Sequence, residues 1–457
     1  MTALADIIRP GATRGLDFVV LDELRKRTGI NPNHVLKFAL AEMLCNALDK
    51  DSTQISVVVT TEGEFFVLSI SDNGSKKLSL EDIQLILNFE NKASSKRGLL
   101  RVSRGYLGNA LKCIFGYSYA LAENAGLTPQ HITVESGEFA YKINLKPDRI
   151  SEVIKSEIET VKRADDGLSV FTVRFPKHED LNLSHLKDII LATSMVNPTR
   201  RITYDLFGER AALGFAENNK TIRQETSVLW YTQKQFTVLL EDFIRARPET
   251  QLKDFIALFR GFTAKKVIRE ILQNLNASNH DSEANSIVQF FPATPLKELP
   301  TSAFGRLYTL MKSYSKPITK RSIPTVLTLV GKESFERICK QNVWSSLKYV
   351  ALSHVKVNCP MAFNDNNSKE GCRNPDHVEF PYLIEVAVFD RQDSEGMKVY
   401  QCVNFMASME DLFSRIYNVN YHLGRVGIQA EHSVTVVVHM VCPVLKWLNY
   451  GKSGLDE

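Results

Sequence analysis

The stretch 33–49 constrains this chain more than any other. Apolar residues recur at Val35, Leu36, Ala39, Leu40, Met43, Leu44, Ala47 and Leu48, the spacing of one helical face. Three polar residues interrupt it. Glu42, Asn46 and Asp49 stand at i, i+4 and i+7, so a helix presents all three together. Polar side chains set into an apolar helix need a partner or a task. Two strand-like runs follow directly, 55–60 and 65–71, with Glu62 and Gly63 at the turn between them.

The rest of the first half continues the mixture. Helical periodicity returns at 80–89, 107–123 and from Asn182 to about Val196. Strand-like runs lie at 131–136, 138–145, 153–161, 168–175 and 201–206. These elements predict an α+β fold for residues 1–215, a two-layer α/β sandwich with helices on one side of a sheet. Residues 216–340 read as a helical middle region, with helices at 235–246, 251–259, 264–275 and 302–315 and a loop at 283–300. Residues 341–457 return to strands, at 382–389, 399–405 and 434–441, around a long loop over 358–376.

Composition excludes some classes. No run of 18 apolar residues exists, so no membrane-spanning helix is expected, and the first 20 residues hold no apolar run of signal-peptide length. Seven scattered cysteines fit a reduced, cytoplasmic protein. The formal net charge of +4 permits a nucleic-acid partner without demanding one. Basic residues do cluster, first at Lys92, Lys96, Arg97, Arg101 and Arg104, then at Lys312, Lys316, Lys320 and Arg321.

Three short motifs carry chemistry. On the first helix, an amide oxygen at Asn46 suits a hard cation such as magnesium alongside phosphate oxygens, and a carboxylate one turn earlier, Glu42, can hold and activate a water. After the second strand comes Asp72-Asn73-Gly74. Its Asp can accept from an exocyclic amine, and its Gly allows a flat base to approach, although the tripeptide is also ordinary turn chemistry. The third is Arg104-Gly105-Tyr106-Leu107-Gly108-Asn109-Ala110, where glycines ahead of a helix expose backbone N–H groups to phosphate. Lys112, one turn inside, either adds charge there or is solvated.

The order of these motifs resembles the ATPases of the gyrase, histidine-kinase, heat-shock-chaperone and mismatch-repair type. The resemblance implies ATP and Mg2+ as ligands. It implies Glu42 as general base, Asn46 as magnesium ligand and Asp49 as a polar contact near the nucleotide. Asp72 would read the adenine amine and Gly74 would line the base. Gly105, Leu107, Gly108 and Asn109 would form a lid on the phosphates, with the basic residues from Lys96 to Arg104 in it. One departure stands out. The family's Gly-Thr pair, whose Thr supports the adenine-reading Asp, is replaced by Gly167-Leu168-Ser169, leaving Ser169 or Thr172 for that task.

The succession of an ATPase-like part, a helical middle and a further α/β part is similar to the ATPase subunit of topoisomerase VI, one branch of that family. Gly451-Lys452-Ser453 then matches the transducer loop, with Lys452 as sensor of the terminal phosphate. This implies an ATP-dependent homodimer acting as a gate on DNA, with a separate nuclease or cleavage subunit and no membrane partner. An ATPase sensor in a prokaryotic defence complex and a chaperone-like clamp on protein clients are the other readings. His354, Cys359, Cys372 and His377 surround the long loop but match no tight zinc spacing. Cys45, Cys113, Trp230, Tyr231 and Trp344 read as packing residues.

Overall fold

A computed structural model describes residues 15–90, 99–102, 109–217, 225–277, 289–358, 378–393, 395–409, 411 and 418–445. The first unit opens with α1 (Leu21–Thr28), α2 (Val35–Leu48), β1 (Gln54–Glu62), β2 (Phe65–Asp72) and α3 (Leu80–Ile86). It continues with α4 (Ala110–Asn124), β3 (Ile132–Ser136), β4 (Phe139–Asp148), β5 (Val153–Lys162) and β6 (Ser169–Pro176), then α5 (Leu183–Val196), β7 (Arg201–Leu206) and β8 (Glu209–Leu213). Each strand expected here is present, β7 with the expected ends and the others with ends shifted. α1 and β8 were not anticipated. α1 is short and mostly polar, and β8 has no buried residue to set a period.

The strands form one eight-stranded sheet in the order β5-β4-β3-β6-β2-β1-β7-β8. All neighbours run antiparallel except β1 and β7. Alternate residues of β1, Ile55, Val57 and Val59, are buried beneath a helical layer. In that layer α4 lies on β6, α2 on β1 and β2, and α5 on β7. The mixed α+β architecture with a large, mainly antiparallel sheet is therefore as expected.

The single apolar stripe read for α2 understates its burial. Of its 14 residues, 12 are buried, because the helix is enclosed on every side. β2 lies below it, α4 and α5 lie beside it, and β12 (Met406–Ala407) of a second sheet lies above. The sandwich thus gains a third layer.

The middle contains α6 (Gln233–Ala246), α7 (Leu252–Ala257), α8 (Lys265–Ala277) and α9 (Phe304–Tyr314). Phe236, Phe255, Phe259 and Tyr308 pack ring against ring at its centre. Then come α10 (Ile323–Leu327), α11 (Lys332–Gln341), β9 (Ser346–Asn358), β10 (Val378–Asp390), β11 (Lys398–Val403), α12 (Val419–Arg425) and β13 (Val434–Val441). The second sheet has the order β12-β11-β13-β10-β9. Its inner face meets α5, α10 and α11, while α12 covers part of the outer face. No helix among the described residues is long and apolar enough to cross a membrane.

Candidate functional site

β2 ends on Asp72, which is 2% exposed. Burying a carboxylate demands hydrogen-bond donors, and three groups lie within hydrogen-bond distance of this one. The Gly74 N–H donates to Oδ1 at 2.9 Å. The Ser52 hydroxyl lies 3.0 Å from the same oxygen and 2.7 Å from the Ala47 carbonyl, with one proton to share. Lys50 Nζ donates to Oδ2 at 2.9 Å. Ser169 faces Asp72 across the β2–β6 ladder. Ala47 lies in the last turn of α2, and Lys50 and Ser52 follow that helix directly. These contacts therefore fasten the carboxyl end of α2 to the end of β2.

Glycine is required at position 74. A Cβ there would lie 2.6 Å from Lys50 Cβ, 2.8 Å from the Lys50 carbonyl oxygen and 2.9 Å from Asp72 Oδ1. Asn73 secures the same corner. Its Oδ1 accepts from the N–H groups of Thr53 and Gln54 at 2.9 and 3.0 Å, and its Nδ2 donates to Thr53 Oγ1. The Asp-Asn-Gly run is thus a built turn as well as a candidate base contact.

Glu42 is buried on α2 at 4% exposure, within electrostatic reach of Cys113 on α4. Asn46, one turn on, is half-buried. Asp49 caps the helix end with helical backbone angles. Arg101 is the only residue of the first basic cluster among those described. Burial weakens its charged form, and the Asp49 carboxylate opposes that effect. Asn109, 3% exposed, occupies the N-cap of α4 without a side-chain capping bond. Gly105, Leu107, Gly108 and Lys452 lie outside the described residues, as do Cys359, Cys372 and His377. No group of three or more metal-ligating His, Cys, Asp or Glu residues exists among the described ones.

Three details differ from the sequence reading. Lys112 is neither solvated nor presented as a surface charge. It is buried, and its ammonium donates to the Asn88 carbonyl oxygen. Burial lowers its pKa to about 8. Thr172 does not support Asp72, because its hydroxyl pairs with Ser69 Oγ at 2.8 Å. The Ser169 hydroxyl lies 3.4 Å from Ser136 Oγ. The residue that sequence reasoning missed is Lys50. Its ammonium both pairs with Asp72 and stands 5.3 Å from the Phe171 ring centroid. A lysine in a polar turn reads as solvated, and only the fold shows it turned inward. Cys45, Cys113, Trp230 and Tyr231 are buried as expected, and Trp344 packs on Phe389.

The segment 99–102, which precedes Gly105 and Gly108 in sequence, is gripped by the middle region. The Leu100 N–H donates to the Tyr231 hydroxyl at 2.6 Å, and Thr226 Oγ1 donates to the Leu100 carbonyl at 2.6 Å. With that proton committed, the Tyr231 O–H donates to Thr226 Oγ1 at 2.8 Å.

No protein-family model matches the chain, and no curated protein does. Among the solved structures it is similar to are the following. The B-subunit of the DNA gyrase from Myxococcus xanthus has 8% identity and a TM-score of 0.37, over 94% of this chain and 87% of that one. The ATPase region of Saccharomyces cerevisiae topoisomerase II bound to ICRF-187 has 11% identity and a TM-score of 0.36, over 92% and 77%. The Aquifex aeolicus MutL ATPase domain complexed with ADP has 12% identity and a TM-score of 0.33, over 90% and 91%. Overlays this loose carry no functional assignment.

Proposed function

We propose that this chain binds ATP with Mg2+ in its first unit, hydrolyses the ATP, and uses the cycle to close two copies of itself around DNA. The observation that carries the reading is the junction of α2 and β2. There a buried carboxylate, Asp72, is tied to the end of a helix that also carries the buried Glu42 and the half-buried Asn46.

In this reading Asp72 accepts the exocyclic amine of adenine and Gly74 leaves the base its room. Asn46 offers an amide oxygen, a hard donor of the kind magnesium takes together with phosphate oxygens. Bound magnesium would neutralise phosphate charge. Glu42 holds the attacking water and takes its proton. Asp49 sets the polar surroundings of the helix end, and Ser169 lines the base from β6. Gly105, Leu107, Gly108 and Asn109 offer N–H groups to the phosphates at the start of α4. Lys452 senses the terminal phosphate as a compact point charge. DNA cutting belongs to a separate cleavage subunit.

Light scattering with a non-hydrolysable ATP analogue and magnesium tests the gate. The native chain is expected to double its mass only with nucleotide, and Lys452→Ala is expected to stay monomeric. Nucleotide binding without any change of mass would overturn the clamp and leave the ATP site standing.

A further inference from the structure

The carboxylate of Asp72 offers about four acceptor positions. The Gly74 N–H uses one of Oδ1, beside which the Ser52 hydroxyl shares its single proton with the Ala47 carbonyl, and Lys50 uses one of Oδ2. One acceptor on Oδ2 remains among the described residues. The Lys50 ammonium carries three protons. One goes to Asp72, and the other two have no acceptor among the described residues. The side chain is nonetheless only 12% exposed, held between Asp72 and the face of Phe171. The end of β2 therefore presents one free acceptor and one free donor side by side.

That pair has a chemical complement. The edge of a 6-aminopurine carries an N–H donor on its amine and, next to it, an unprotonated ring nitrogen, N1. A 6-oxopurine reverses the order, with an acceptor outside the ring and an N–H within it. A carboxylate placed to receive the amine would meet the oxo group oxygen to oxygen. No hydroxyl from β6 reaches Asp72: Leu168 has none, Thr172 bonds Ser69, and Ser169 turns to Ser136.

We propose that Lys50 is the second base-reading residue of the site, donating from Nζ to N1 of the purine whose amine Asp72 accepts. The proposal rests on the ATP reading above. Lys50 then selects 6-aminopurine over 6-oxopurine nucleotides, and it does so with a charge-assisted bond held by its own partner in the pair.

The test begins on the native full-length chain and needs no variant. Calorimetric titrations would compare ATP, 1-deaza-ATP (which keeps the amine but replaces N1 with C–H) and inosine triphosphate. The native chain is expected to bind ATP at least ~10-fold more tightly than either analogue, the scale of a lost hydrogen bond to a charged donor. Lys50→Met keeps the stem against Phe171 and removes the donor. It is expected to bind ATP and 1-deaza-ATP equally, at the native chain's 1-deaza level. Equal binding of ATP and 1-deaza-ATP by the native chain would overturn the role of Lys50 and leave the ATP site intact. Tighter ATP binding by Lys50→Met would also overturn it, by making Lys50 a plug that the base must displace. Binding of none of the three by the native chain would overturn the ATP reading itself, and the Lys50 role with it.

Discussion

At Gly74 a single methyl group decides whether the corner closes. The contact of 2.6 Å to Lys50 Cβ can relax only by moving the turn, because the Lys50 carbonyl oxygen stands 2.8 Å away on the same side. Gly74→Ala is expected to cost about 1–3 kcal/mol in chemical denaturation and to weaken nucleotide binding as the Lys50–Asp72 pair is displaced. Unchanged stability would show that the turn has slack. Lys112 gives a second expectation. Its folded pKa near 8 lies below the 10.5 of an ordinary lysine, so between these values the unfolded chain binds more protons. Its contribution to stability therefore rises with pH across that window, and Lys112→Met should flatten the rise in a pH series of denaturation midpoints. Much of this scale was legible in the sequence. Glu42, Asn46 and Asp72 stood out because polar residues at helical spacing, or at a strand end, need a reason. Lys50 and Lys112 did not, since burial of a lysine stem is set by tertiary neighbours that no local pattern encodes.

Among the elements, α4 shows how backbone contact fixes geometry. A Cβ on Gly116 would lie 1.7 Å from the Phe18 carbonyl oxygen, so the helix meets the 15–18 turn backbone to backbone. Gly116→Ala is expected to separate the two and to lower the melting temperature by several degrees, the shift that ~1–3 kcal/mol produces in a chain this size. Tyr231 works between elements. Removing its hydroxyl leaves the Leu100 N–H without that acceptor, at a cost of about 1–3 kcal/mol if no water replaces it. Tyr231→Phe should also raise hydrogen exchange at Leu100. Unaltered exchange there would contradict the grip. Strand and helix existence was readable from periodicity, and ends shifted by a few residues. Some of what was missed had little period to read, since α1 is mostly polar and β8 is an exposed edge strand, whereas α11 was missed although Phe335, Ile338 and Cys339 give it a clear apolar face. β9 is also an edge strand; Leu347, Tyr349 and Val355 face the core, but apolar Val350 and Leu352 point outward, so apolar and polar residues do not alternate cleanly along it.

Across the whole molecule, one buried chain of hydrogen bonds joins the three regions. Glu385 and His439 are both fully buried. The Glu385 carboxylate accepts from the N–H groups of Val330 and Gly331, from the Tyr349 hydroxyl at 2.8 Å and from His439 Nδ1 at 3.0 Å. His439 Nε2 accepts the Phe405 N–H, so the ring is neutral with its proton on Nδ1. The Phe405 carbonyl accepts in turn from Asn197, at the end of α5. Burial opposes ionisation of Glu385, yet the bonds from His439, Gly331 and Tyr349 outweigh it and hold the carboxyl below its usual range. A lowered carboxylate pKa adds stability above the unfolded pKa and loses it as pH falls through the folded value. Acidification below about pH 4.5 should therefore loosen the second sheet from the first unit, and Glu385→Gln should weaken that dependence. His439→Ala leaves the carboxylate short of a hydrogen-bond donor and is expected to cost about 1.5–3 kcal/mol, read by denaturation. The sequence showed His439 only as a break in an apolar run. Its partner lies 54 residues away, beyond the reach of any local pattern.

The central claim is that Glu42 drives hydrolysis at an ATP site built on α2 and β2, and steady-state Mg-ATP turnover tests it most directly. The native chain is expected to turn over, while Glu42→Ala binds ATP with native affinity and hydrolyses it about 10²–10⁴-fold more slowly. Hydrolysis by Glu42→Ala at the native rate, or a native chain that binds no Mg-ATP, would contradict the account.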